Sequence, residues 1–265
     1  MHARSAVVDL YGDHLRHRGW WAPVSAVVAL AAEVDVQPAA TRTAISRLCA
    51  QGWLSARVAH GLRGYAATPR AQDRWQGAHE RVYAERPAPW DGRWHVVHVS
   101  TGGERRRRDQ VARTLEFLGY GRLGGGGWVS PRPNPELAPS LEGLAVGWVA
   151  VHGDLEPPQD AARIAARVWD LDGLGADFAD FSARLPSVAG AGRLAPGPAY
   201  STRTRLVHEW RRFLFRDPAL PPDVLPTSWP GQQARARFLE VAATLSPAAG
   251  RHVDHALEVA GTERA

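Results

Sequence analysis

Between Gln37 and Leu54 the chain carries the punctuation of one short helix with two unlike faces. Pro38 stands where a first helical residue belongs, since it has no amide hydrogen to waste and its φ is already helical. Gly52 stands where a left-handed cap is wanted. At 100° per residue, Thr41, Ala44, Ile45, Leu48 and Cys49 fall on one stripe, and Ala39, Arg42, Thr43, Ser46, Arg47 and Ala50 on the other. The first stripe is a packing face. The second is small, hydroxylated and basic, as suits a helix lying close in a DNA major groove. Arg42, Thr43, Ser46 and Arg47 are its candidate DNA contacts. A surface helix with ordinary solubilising residues is the plain alternative.

The flanking segments favour the DNA reading. Val24 to Ala32 is a short apolar helix after Pro23, and Glu33 to Gln37 is a turn, which gives the layout of a helix-turn-helix. Leu54 to His60 alternates apolar and polar residues, His60-Gly61 can make a tight turn, and Leu62 to Thr68 returns. A hairpin in that place is a wing, with Arg57, His60 and Arg63 near its tip as candidate contacts to phosphate or the minor groove. Residues 1–86 are therefore expected to form a winged helix-turn-helix domain. They hold 11 Arg against 7 acids, whereas the remaining residues hold 21 against 20, so most of the formal net charge of +5 lies in the first third. A footprint for a polyanion clusters in this way.

Composition excludes several classes. With one cysteine, Cys49, the chain has no intramolecular disulfide and no multi-cysteine zinc site. No apolar run approaches ~18–20 residues, so no membrane span is expected. The N-terminus lacks the long apolar region of a signal peptide, which points to the cytoplasm.

Pro87 to Gly92 reads as a linker. Beyond it a strand at Trp94–Ser100, a helix at Glu104–Leu118, strands at Trp128–Ser130 and Gly147–His152, and a helix at Ala161–Trp169 suggest a ferredoxin-like α/β sandwich over 87–172. Arg105 to Arg108 sweep about 300° around a helix axis and cannot form one patch. Gly124 to Gly127 lacks the Lys-Ser/Thr of a phosphate loop and leads into a strand. His95 and His98, three apart on a strand, point to opposite faces, and no metal site or cofactor is expected. From there to the C-terminus, 173–265, the chain reads as a helical domain. Its helices are expected at Thr202–Arg216, 232–245 and 247–260, with Asp217 to Gly231 as a Pro-rich strap anchored by Leu220, Val224, Leu225 and Trp229. The fold class is α+β.

Several landmarks together resemble the PaaX-type transcriptional repressors. They are Leu10-Tyr-Gly-Asp13, Arg42 to Leu48 with Gly52-Trp-Leu54, Trp90-Asp-Gly-Arg-Trp94, Trp128-Val-Ser-Pro-Arg-Pro133 and Trp169-Asp-Leu171. Arg216-Asp-Pro218, Leu225-Pro226 and Trp229-Pro-Gly231 complete the set, which runs in family order over nearly the whole chain. The resemblance implies a homodimer that represses operons of phenylacetate or related aromatic catabolism by binding double-stranded operator DNA. It also implies release by an acyl-CoA effector, typically phenylacetyl-CoA. Trp148, Trp169, Trp210 and Trp229 could line an aryl slot, and Arg203, Arg205, Arg211 and Arg212 could meet CoA phosphates. Core packing and solvated helix faces are the competing readings, so the ligand site stays unassigned.

An enzyme is the competing class. The central segment is similar in outline to small ferredoxin-like, metal-dependent CRISPR-associated nucleases, which use an acid at the end of the first strand. Here that strand ends His98-Val-Ser100, without the carboxylate. No Gly-x-Ser-x-Gly elbow, His-Glu-x-x-His or dinucleotide fingerprint is present. A structural adaptor would leave the outer face of the 38–51 helix unexplained.

Overall fold

The computed structural model describes residues 1–84, 90–155, 161–213 and 216–262. The expected linker residues 87–89 and the helix position Leu214 lie outside them. Helix α1 (Ala3–Asp9) continues into a π-helical segment, Leu10–Leu15. Strand β1 (Trp21–Pro23), α2 (Val24–Ala32), α3 (Pro38–Ala50), β2 (Leu54–Ala59), β3 (Leu62–Ala67) and α4 (Pro69–Tyr83) follow. The expected helix pair and hairpin stand at their expected places, and β1 adds a third strand. The sheet is antiparallel in the order β1-β3-β2.

This region closes on an apolar core that joins Val7, Leu10, Tyr11, Leu30, Ile45, Leu48, Leu54 and Trp75. Trp75 on α4 stacks on Trp53 at 6.2 Å, and Tyr11 donates its hydroxyl to the Tyr65 carbonyl at 2.8 Å, tying the π segment to β3. Gly64 is required where it stands. A Cβ there would lie 2.3 Å from the Ala22 carbonyl oxygen and 2.8 Å from the Trp21 ring.

The middle of the chain builds β4 (Trp94–Ser100), α5 (Arg105–Phe117), β5 (Gly121–Gly124), β6 (Gly127–Ser130), α6 (Leu137–Glu142) and β7 (Gly147–Gly153). Its four-stranded sheet is antiparallel, ordered β5-β6-β4-β7. Two elements were not expected. β5 reads Gly-Arg-Leu-Gly, with no β-branched residue to signal a strand, and α6 carries Pro139 within six residues. The glycines at 124, 125 and 126 all have positive φ and turn β5 into β6, so that stretch is a hairpin turn. Val97, Val99 and Trp128 face α5 and α6 across one core, while Trp94 and Val129 face Ile164 and Ala165 of α7 (Ala161–Val168) across another.

The rest is helical: α8 (Leu171–Arg184), α9 (Val188–Ala191), α10 (Pro196–Phe213) and α11 (Gly231–Thr262). The expected pair of helices at 232–245 and 247–260 is one helix running through Pro247. Proline removes the bond to the carbonyl four residues earlier. Here both Pro247 and Ala243 are exposed, so water can take that carbonyl. The strap behaves as expected, with Leu220 and Val224 buried and Leu225 and Trp229 packed beside them.

Compactness groups the chain into two units: Met1–Glu85 with Arg184–Arg211 and Arg235–Ala265, and Arg86–Ala183 with Arg212–Ala234. The expected 173–265 segment is thus divided between them. Local periodicity marks the apolar positions of a helix but not the core that takes each one. On α10, Trp210 stacks on Phe238 in the first unit and Phe213 stacks on Phe178 in the second.

Candidate nucleic-acid interface

The two stripes read from α3 separate as expected. Thr41, Ala44, Ile45 and Leu48 are buried, and Cys49 is half-buried. Ala39, Arg42, Thr43, Ser46, Arg47 and Ala50 are exposed. Thr43 donates its hydroxyl to the Ala39 carbonyl at 3.0 Å, so its acceptor lone pairs stay outward. Among the described residues, Arg42 and Arg47 take no hydrogen-bond or ion-pair partner. Their charge is uncompensated, and an exposed guanidinium can trade water for phosphate or a base edge at little desolvation cost.

The hairpin is more divided. His60 (φ 50°) and Gly61 (φ 73°) form the two-residue turn, the geometry that matches strand twist. Arg57 pairs in register with Gly64, and Val58 with Arg63. Directly opposed residues share a face and neighbours alternate, so Arg57 and Arg63 project from opposite faces. Arg63 shares the face of Leu54 and Ala67, which belong to the core beneath α3. Arg57 shares the face of Gly64, against which the Trp21 ring packs. His60 stands at the tip with its ring 6.0 Å from that of Trp21.

A second set of charged residues, not foreseen from the sequence as a group, holds α3 in place. Asp13 lies in the π segment with its side chain only 4 % exposed. Its two oxygens accept from Nε and Nη2 of Arg203 on α10 at 2.9 and 3.0 Å, and from the Tyr83 hydroxyl at 2.6 Å. Arg203 also donates to the Ala242 carbonyl and, at 2.7 Å, to Tyr83. Burial works against the Asp13 charge, but Arg203, with help from His14 and Tyr83, outweighs it and keeps the carboxyl below its usual range. Asp9 is paired with Arg211 and lies 2.8 Å from His208. Arg205 reaches Asp35, in the turn between α2 and α3, at 2.6 Å. Three arginines and one histidine of α10 therefore fasten it to the segment that carries α3.

Burial drives His14 down to about 4, although Asp13 opposes the shift, and its Nε2 lies 3.1 Å from the Thr204 hydroxyl. His79 falls to about 4 by burial and the nearby Arg16. These findings correct the idea that Arg203 and Arg211 could receive phosphates, since buried carboxylates hold both, while Arg205 is paired with Asp35 at the surface. Trp210 is fully buried, and Trp229 packs edge-on to Phe178. Only a carboxylate in the right place, invisible to local spacing, distinguishes these arginines from solvated ones.

Three family models match in succession. The PaaX-like protein model covers residues 2–66, the PaaX protein central Cas2-like domain covers 87–152, and the PaaX-like protein C-terminal domain covers 169–255. The transcriptional repressor PaaX of Escherichia coli (strain K12) is 28 % identical over 257 residues, spanning 92 % of this chain and 81 % of that protein. The solved structure of the uncharacterized protein Rv0674 from Mycobacterium tuberculosis is similar over 96 % of this chain and 98 % of its own, with TM-score 0.62 and 25 % identity. With three consecutive PaaX models along its length and a repressor similar over most of both chains, the chain belongs to the PaaX family of transcriptional repressors.

Proposed function

We propose that the protein represses by reading operator DNA with a winged helix-turn-helix, α3 in the major groove and the β2–β3 hairpin as the wing. The observation that carries this reading is the outer face of α3, where two arginines without a partner among the described residues and two hydroxyl residues project from a face of otherwise small residues. Arg42, Thr43, Ser46 and Arg47 make its contacts, and Arg57, His60 and Arg63 line the wing. The central region is a ferredoxin-like sandwich. Its support is the order of its four antiparallel strands, second-third-first-fourth, with a helix after the first and third.

One reading helix covers one half-site, so the protein acts as a homodimer on an inverted repeat in the cytoplasm. It controls phenylacetate or related aromatic catabolism, with an aryl-acetyl-CoA thioester as the releasing effector. No helix among the described residues is long and apolar enough to cross a membrane.

Footprinting on the promoter beside the gene tests the geometry. Two protected half-sites with centres about 34–36 Å apart, or a multiple, are expected. Affinity should fall with salt at a log–log slope of about −0.9 per phosphate contact. A single asymmetric half-site held by a monomer would refute the dimer, and cleavage of the labelled DNA in Mg²⁺ would restore the nuclease reading.

A further inference from the structure

Two hollows differ enough in size to separate their uses. The cavity beside Asp9, Asp13 and His79 holds about 20 Å³, room for roughly one water molecule. In the second unit a groove of about 640 Å³ runs between the end of α5, the start of β5 and the α7–α8 connection. That volume is in the range of small-molecule and cofactor sites.

The groove's residues divide by chemistry. Arg113, Arg122 and Arg216 supply guanidinium groups against the carboxylates of Glu116 and Asp170. Phe117, 46 % exposed, and the half-buried Trp169 supply aromatic surface. Trp169 is held in place. It stacks on Trp94 with centroids 6.3 Å apart and planes 20° from parallel. Its other neighbour is Gly121, where a Cβ would lie 1.9 Å from Val168 Cγ1 and 2.8 Å from the Trp169 ring. Glycine at 121 thus lets the indole lie against the β5 backbone at the groove wall.

The arginines are weakly committed. Among the described residues Arg113 has no partner. Arg122 is 3.9 Å from Glu116, with both side chains 59 % exposed, and its guanidinium lies 5.0 Å from the Trp128 ring centroid. Arg216 pairs with Asp177, outside the groove lining, and is half exposed. Exposed pairs of this kind contribute little, so a phosphate can take the guanidinium without a large loss. Free phenylacetate, one ring and one carboxylate, would leave most of the groove unfilled and two arginines unused.

From this juxtaposition we infer that the groove binds the CoA portion of the thioester effector, with its phosphates on Arg113, Arg122 and Arg216 and its adenine against Trp169 and Phe117. The inference rests on the effector reading above and adds the place. Arg216 follows the end of α10 by three residues, and α10 is the helix fastened to Asp9, Asp13 and Asp35.

The test is calorimetric titration of the full-length protein with phenylacetyl-CoA, CoA and phenylacetate, beside operator retardation, for the wild type and an R113A/R122A variant. Both arginines are exposed and lie apart from the DNA-reading residues, so operator affinity without ligand serves as the folding control. The wild type is expected to bind phenylacetyl-CoA and CoA but not phenylacetate, and the variant to bind phenylacetyl-CoA and CoA at least tenfold more weakly. It should need correspondingly more phenylacetyl-CoA for release. If the variant binds and releases like wild type, the groove is the wrong place while the effector reading stands. If the wild type neither binds nor responds to phenylacetyl-CoA, the effector reading itself fails and this inference with it.

Discussion

The outer face of α3 and the face of α10 that meets the π segment are both rich in arginine, and in sequence they look alike. In the structure they are opposites. Arg42 and Arg47 are exposed and without a partner among the described residues, whereas Arg203 is buried between Asp13, Tyr83 and the Ala242 carbonyl, and Arg211 is held by buried Asp9. A guanidinium in water costs nothing to keep and can be exchanged for a phosphate. A buried one must be fully matched, and once matched it is unavailable to a ligand. The same residue type thus stays open to a ligand in one place and positions a helix in the other, and the carboxylate neighbour decides which.

The sharpest way to break this contrast is to remove one arginine of each kind. Arg203→Ala leaves the Asp13 carboxylate buried without its cation, and should lower unfolding stability in urea by about 3–5 kcal/mol. Arg42→Ala should stay within about 0.5 kcal/mol of wild type. A loss under 1 kcal/mol for Arg203→Ala would show that the buried network is not what holds α10 in place.

Acid probes the same network with a smaller effect. His14 takes a proton at about 4 when folded and near 6.5 when unfolded. Between those values the unfolded chain binds the extra proton, so stability is full above pH 6.5 and falls as pH drops toward 4. The depression corresponds to roughly 3 kcal/mol for this group, and His79 adds to it in the same window. Thermal melts from pH 7 to 4 should show the decline, and His14→Gln should flatten part of it. A level profile down to pH 4 would mean that neither histidine is held neutral.

The smallest effect is expected on α3, where only DNA affinity should move. Arg42→Ala and Arg47→Ala should each weaken operator binding by about 1–3 kcal/mol, with relaxed specificity at one base if the contact is to a base edge. Retardation equal to wild type by both variants would erase the distinction between the two faces from the recognition side.

Much of this molecule was legible along the chain. Pro38, Gly52 and the 100° spacing gave α3 its limits and both of its faces, because a helix end and an amphipathic stripe are set by residues within a few positions of each other. The hairpin followed from His60-Gly61 and the alternation around it. The same local logic failed at β5, a strand of Gly-Arg-Leu-Gly, and at Pro247, where exposure makes a broken hydrogen bond tolerable. It could not see that Arg57 and Arg63 part to opposite faces, because the pairing of Arg57 with Gly64 and of Val58 with Arg63 is a register between strands. Nor could it group Asp9 and Asp13 with residues about 190–200 positions away.

What the sequence alone determined here is whatever the backbone's own periodicity encodes: helix α3, its outward residues, the hairpin and the α+β class. What only the tertiary structure decided is the partnering of charges, from Arg203 on Asp13 to Arg205 on the Asp35 turn, and the division of α10 between two cores. A charge is satisfied by whatever lies within a few ångströms of it, and for these residues that neighbour is set by how distant segments pack.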